Sequence, residues 1–328
     1  MRTRILLAGF VFTALSAAGT AWAADPRLLN LVMPDATTLA GANVTNAEIT
    51  PFGQYVLSQM TSAMGQQLQA FVTATGFDPR HDVTEILAAS SSTPGAASHS
   101  GLLLALGNFP VSQMTAAIAQ KAPQLVQNYG GATLIAGPDG KSGIAFLGTN
   151  IAIAGDVASV KAAVDRSVTQ NALSPALSVQ LQALSTTEDA WALTIVPASS
   201  LIPAGASSQA GPFANVLSSI QASSGGVKFG STVQITAQAV ESDAASAKSL
   251  ADGLQALTSL LSMAGAQNPQ AASVVQLLQG LTVTTSGATV NLALSIPETQ
   301  IEGLLNGMKN QAAPAVRRGI QPAIQPVH

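Results

Sequence analysis

Two short segments of the chain repeat one pattern, and that pattern limits the fold more than any other feature. Gly230-Ser231-Thr232-Val233-Gln234-Ile235-Thr236 is matched by Gly287-Ala288-Thr289-Val290-Asn291-Leu292-Ala293. In both, apolar and polar residues alternate at a period of two, which turns one face of a strand inward and the other to water. Each leads into a capped helix, one through Ser242-Asp243 and the other through Ser295-Ile296-Pro297-Glu298. Gly148-Thr149-Asn150-Ile151-Ala152-Ile153-Ala154, running into Asp156, is a fainter third copy. A hairpin whose second strand feeds a helix lays helices on one face of a largely antiparallel sheet. The expectation is an α+β chain of two lobes. Each lobe is a largely antiparallel β-sheet with helices packed on one face, built from repeated β-β-α units. Three copies at unequal spacing are too few for a solenoid.

Helical spacing marks the other elements. Leu57, Met60, Met64, Leu68 and Phe71 share one face of a helix over Pro51–Thr75, with proline in its first turn and Gly76 just past its end. Asp156 caps a helix carrying Val157, Val160 and Val164. Leu250, Leu254, Leu257 and Leu261 mark the apolar face of a helix beginning near Asp243. Strands are predicted over Val83–Ala89, Leu102–Leu106, Ile151–Ala154 and around Trp191–Ile195, with an extended piece over Thr37–Val44. Residues 168–188 have weak periodicity and few large apolar side chains, which places the boundary there. The predicted organisation is a signal peptide over 1–23, an N-terminal lobe over 24–168, a linker over 169–188, a C-terminal lobe over 189–308 and a disordered tail over 309–328.

Arg2 and Arg4, the apolar run Ile5–Ala18 and the small-x-small site Ala21-Trp22-Ala23 have the form of a secretory leader. Cleavage is expected between Ala23 and Ala24. The run is shorter than the roughly 20 residues that cross a bilayer, so no transmembrane anchor is expected in the mature chain. The sequence has no Cys, which excludes disulfides, thiolate metal sites and Cys nucleophiles and favours a bacterial periplasmic or extracellular setting. With 9% charged residues and a net charge of −3, the chain lacks the basic footprint that nucleic acid requires. Aromatics at 4% leave few stacking platforms for sugars or bases.

Reactive constellations are scarce. The histidines are His81, His99 and His328, and His81 has acidic company in Asp78 and Asp82. Read locally, Pro79 sets a turn, Arg80 pairs with a neighbour and Asp82 caps the next element. Gly137-Pro138-Asp139-Gly140-Lys141-Ser142 ends like a phosphate-binding loop, but Ile135 stands where that motif needs glycine, so a hairpin turn is predicted. Asp156 and Asp165 point in different directions from one helix, and Glu188-Asp189 is expected to be solvated. Asn43-Val44-Thr45 has the N-glycosylation pattern, which a bacterial host would leave without meaning. No catalytic, cofactor-binding or metal-binding residues are assigned, and no cofactor. The Leu57–Phe71 stripe is read as core packing, with the lining of an apolar cavity as the alternative.

Thr75-Gly76-Phe77-Asp78-Pro79-Arg80-His81-Asp82-Val83 and Gly155-Asp156-Val157-Ala158-Ser159-Val160-Lys161-Ala162-Ala163-Val164-Asp165 resemble a loose family of uncharacterised exported bacterial proteins. Gly225-Gly226-Val227-Lys228-Phe229-Gly230 and Ser295-Ile296-Pro297-Glu298 extend the likeness. The resemblance implies a two-lobed α+β exported protein and carries no activity. The functional expectation is a non-enzymatic cell-envelope binding or scaffolding protein, with an envelope protein or polymer as partner. The alternatives are a periplasmic carrier of an apolar or lipid-like ligand and a hydrolase working through carboxylates.

Overall fold

The computed structural model describes residues 24–91, 100–120, 122–169, 171–198, 219–265, 275 and 280–303. Its strands are β1 (Thr38–Asn43), β2 (Val83–Ser91), β3 (Ser100–Gly107), β4 (Val126–Tyr129), β5 (Ala132–Ala136), β6 (Ser142–Leu147), β7 (Ile151–Asp156), β8 (Ala190–Thr194), β9 (Ile220–Lys228), β10 (Thr232–Glu241), β11 (Thr282–Ser286) and β12 (Thr289–Pro297). Among the described residues they form one antiparallel sheet in the order β11-β12-β10-β9-β8-β1-β2-β3-β7-β6-β5-β4. The chain is therefore α+β, as its patterning predicts. In place of one sheet per lobe, however, strands from both halves lie in a single sheet.

The join is β1. It pairs with β2 on one side, Ala40 opposite Ala88, and with β8 on the other, Ala40 opposite Ala192. Short-range periodicity marks a strand but not its neighbours, and these partners are far apart in sequence. Gly41 is needed here because a Cβ at that position would run into the Trp191 ring. The stretch expected as a linker holds a helix, Pro175–Thr187, whose Leu177 and Leu181 are buried.

Numbered in chain order, the helices whose bounds lie among the described residues are α1 (Pro26–Leu29), α2 (Val44–Ile49), α3 (Pro51–Thr75), α4 (Pro79–Asp82), α5 (Val111–Ala119), α6 (Val157–Arg166), α7 (Pro175–Thr187) and α8 (Ala244–Gly265). Several ends follow from their caps. Gly76 closes α3 at φ 69°, and its N–H donates to the Val72 carbonyl at 2.8 Å. Asp156 Oδ1 accepts from Ser159 N at 2.9 Å to open α6, and Asp243 Oδ1 accepts from Ser246 N at 2.7 Å at the start of α8. Asp139 Oδ1 accepts from the backbone of Lys141 (3.0 Å) and Ser142 (3.2 Å), which makes the Gly137–Ser142 segment the turn between β5 and β6.

Helices cover both faces of the sheet, in contrast to the one-sided packing predicted. On the first face, Leu39, Leu87, Leu104, Ile153 and Leu193 pack with Val160 and Val164 of α6 and Leu177 and Leu181 of α7. On the second, Val83, Ile86 and Phe146 pack with Phe77, Phe109 and Met114. Further along, Val290 and Ala239 pack under Ala247 and Leu250 of α8. Period-two alternation explains this: Leu104 and Ala105, or Ala145 and Phe146, face opposite ways and both are apolar. A strand apolar on both sides needs cover on both sides.

Candidate functional site

A large opening lies on the first face. It is a cleft of about 1060 Å³ between the α1 segment, α7, the chain joining α6 to α7, and the adjoining ends of β6 and β7. Leu29, Leu31, Leu147, Ile151, Leu173 and Leu181 give it an apolar wall. Two of these, Leu31 and Leu181, are buried parts of the core, so the cleft floor is rigid framework. Val168 stands on the rim at 83% exposure.

Polar side chains sew the two walls together behind this surface. Asn30 Nδ2 donates to the carbonyls of Arg166 (2.9 Å) and Thr169 (2.8 Å), and Asn30 Oδ1 accepts from Asn171 N at 2.8 Å. Asn171 Nδ2 donates to the Val32 carbonyl at 2.6 Å, and Arg166 Nη2 donates to the Leu31 carbonyl at 2.8 Å. Burial pushes the Arg166 guanidinium below its ordinary value, while nearby Asp35 and Asp165 act the other way. Among the described residues the charged member of the lining is Arg27, and it is held by Asp25, Nη2 to Oδ2 at 2.9 Å. The surface is suited to holding an apolar group, and the side chains of Asn30, Asn171 and Arg27 are occupied in shaping it.

A second, much smaller cavity of about 20 Å³ lies next to it, with Ala24 on the wall of both. Glu85, Glu188 and Asp189 line it. Burial is the main force on Glu85 and pushes its carboxyl up, although Oε1 accepts from Asp25 N at 3.1 Å. Asp189 is 3% exposed, which corrects the expectation of a solvated Glu188-Asp189 pair. Lys228 Nζ (2.8 Å), Phe229 N (2.6 Å) and the Asn46 amide all donate to Asp189, and that many donors make a buried carboxylate tolerable. Glu188 Oε1 accepts from Thr236 Oγ1 at 2.9 Å, while its buried Oε2 has no partner among the described residues.

The remaining sequence candidates separate. His81 Nδ1 lies 2.9 Å from Glu48 Oε1 on α2, and its ring is largely exposed. Asp78 is bound to Arg80 and caps α4, which holds its carboxyl at about 2. Asp82 reaches back to accept from Asp78 N at 2.6 Å rather than capping the strand after it. Asp156 caps α6, and Asp165 accepts from the Tyr129 hydroxyl at 3.0 Å. His99, His328, the 309–328 tail and the leader lie outside the described residues. Among those described, no group of three or more His, Asp or Glu could hold a metal ion, and no helix is long and apolar enough to cross a membrane.

Among the described side chains of the Leu57–Phe71 stripe, none lines the cleft. Leu57 packs on the second-face core, and Phe71 meets Phe77 edge-on at 6.1 Å. The side chains of Met60 and Met64 lie outside those described. The wall residues the sequence reading passed over were signalled by Ser174-Pro175 followed by Leu177, Leu181 and Leu184, a cap and an apolar stripe at helical spacing.

No family model matches the chain, and comparison with curated proteins gives no match. Among solved structures the chain is similar to TP0453. Its crystal form I aligns with a TM-score of 0.52 at 9% identity, over 86% of this chain and 97% of that one. Crystal form IV gives 0.50 at 10% identity, over 86% and 96%. At these identities the likeness is one of fold, and it spans both halves of the chain.

Proposed function

We propose that this is an exported, non-enzymatic binding protein of the bacterial envelope whose cleft carries an apolar, lipid-like ligand. The cleft carries the reading: at about 1060 Å³ with an aliphatic wall, it is at the upper end of the roughly 300–1,000 Å³ typical of small-molecule sites. Export rests on the leader pattern at residues 1–23, and placement in the periplasm or outside the cell follows from it. The hydrolase alternative needs converging acids beside room for a substrate. Glu85, Glu188 and Asp189 do converge, but in about 20 Å³, space for roughly one water molecule. The scaffolding form of the expectation has the exposed Leu103 and Ile144 behind it, and no described feature of that face specifies a partner.

The test is titration of the exported protein with the apolar fluorophore N-phenyl-1-naphthylamine, alongside Ala172→Trp. Ala172 is an exposed residue of the cleft lining, so the indole obstructs the cleft without loading the core. Saturable fluorescence that is lost in the variant, with an unchanged melting temperature, is the expected result. Equal binding by both proteins, or by neither, removes the carrier reading.

A further inference from the structure

We propose that removal of the leader locks the start of the mature chain in place: the newly formed Ala24 ammonium pairs with the Glu85 carboxylate in the small acidic cavity. The inference rests on the export reading above, and its test separates the two. Hydrolysis adds water across the Ala23–Ala24 amide. Ala23 departs with the carboxylate, and Ala24 keeps an amine that takes up a proton.

The geometry needs little rearrangement. Ala24 is 7% exposed and lies on the cavity wall with Glu85, Glu188 and Asp189. The next nitrogen along the chain, Asp25 N, already donates to Glu85 Oε1 at 3.1 Å. One residue separates the two nitrogens, a Cα step of about 3.8 Å. The cavity, about 20 Å³, has room for a group the size of a water molecule, which is also the size of an ammonium head.

The charges around the cavity are unbalanced before processing. Asp189 has Lys228, and Arg27 is engaged with Asp25. Glu188 has one oxygen on Thr236 and one buried oxygen with no partner among the described residues. Among the described residues Glu85 receives a single backbone N–H, and burial presses on it to stay neutral. An uncharged peptide N–H at residue 24 cannot answer this; an ammonium brings a positive charge and three donors. Because Ala24 also lines the large cleft, the lock fixes one of that cleft's walls only after processing.

An amine paired in this way has its pKa raised above the ordinary 7.7–8.0 or so of a chain terminus. Its stabilisation is complete below that ordinary value and is lost as pH rises through the raised one. The first measurement is the intact mass of the exported protein. A first residue other than Ala24 refutes the cleavage site, independently of the lock. The second compares melting temperatures of chains starting at Ala24, with a free α-amine, after carbamoylation of that amine with cyanate at pH 6, or behind a Gly-Ser extension. At pH 6 the free-amine chain is expected to melt several degrees above the other two, with the advantage vanishing at high pH and in Glu85→Gln. Should Glu85→Gln fail to fold, the carbamoylation and extension comparisons carry the test alone. Equal melting at pH 6 overturns the lock, as does an advantage that survives in a folded Glu85→Gln.

Discussion

Two regions of the sheet are filled differently. Around β2, β3 and β7, large side chains are buried on both faces: Leu87, Leu104 and Ile153 on one, Phe109 and Phe146, with rings 5.6 Å apart, on the other. Around β9 to β12 the strands are rich in Ser, Thr, Gln and Gly. The buried apolar residues described there are Ile220, Val233, Ala247, Leu250, Ala251, Val290 and Ile296, with no buried aromatic ring among them. Small residues are also required there, since a Cβ on Gly225 would crowd the Thr236 carbonyl and one on Gly226 the Glu188 side chain. The N-terminal half therefore has a core able to stabilise it, whereas the C-terminal half depends more on its strand pairing to β8 and β1. The cleft lies in the better-packed half.

Five substitutions test this contrast, from the largest effect down. Leu193→Asp places a charge where Leu193 is 2% exposed, in the core beside the join. The cost is several kcal/mol, comparable with a total stability of about 5–15 kcal/mol. Loss of the cooperative melt across the whole chain is expected, and a variant melting like the parent would show that the join bears no load. Leu250→Asp strikes the smaller core, where Leu250 is 5% exposed. Hydrogen exchange should accelerate in β9 to β12 and stay slow in β2, β3 and β7; acceleration everywhere would mean that the halves do not differ. Leu254, placed by periodicity on the same apolar face as Leu250, is only partly buried, so Leu254→Asp should cost less.

Gly41→Ala pushes a methyl into the Trp191 ring. Overpacking of this kind costs about 1–3 kcal/mol. The loss should shrink when Trp191→Leu is added, and an unchanged double-mutant gap would place the strain elsewhere. The smallest effect belongs to Asp78→Ala, which removes the α4 cap and the Arg80 pair for about 1 kcal/mol. Because the folded pKa of Asp78 is depressed from 3.8 to about 2, its stabilisation is present above about pH 4 and lost as pH falls toward 2. Melting temperatures of parent and variant should converge over that window. A gap that stays constant down to pH 2 would assign the effect to backbone rather than charge.

What the sequence made legible is what local chemistry decides. The limits of α3 follow from Pro51 and Gly76, the start of α6 from Asp156, and the β5–β6 turn from Pro138-Asp139-Gly140. What it left hidden is set by partners distant in the chain. The period-two repeat at Thr232 and Thr289 marks strands that are indeed neighbours, β10 and β12, yet it says nothing of β1 lying between β2 and β8. Asp189 read as solvated because its donors, Asn46, Lys228 and Phe229, come from other elements. The cleft was missed because its walls come from segments that are each unremarkable alone. The methionine-bearing stripe drew attention to α3 instead.

The single sheet rests on the β1–β8 pairing, and the absence of native Cys permits a direct measurement of it. Thr38 and Thr194 are cross-strand partners with hydroxyl oxygens 2.8 Å apart. The neighbouring pair carries the backbone bond, Ile195 N to the Thr37 carbonyl at 2.9 Å, so Thr38 and Thr194 occupy a non-hydrogen-bonded position, where side chains approach closely enough for a disulfide. In the folded chain carrying Thr38→Cys and Thr194→Cys, mild oxidation should close one intrachain bridge nearly completely. The slipped pair Thr38→Cys with Leu193→Cys should stay reduced, since those side chains face opposite sides of the sheet. Failure of the first pair to close, or equal closure of both, would contradict a sheet that runs unbroken through the middle of the chain.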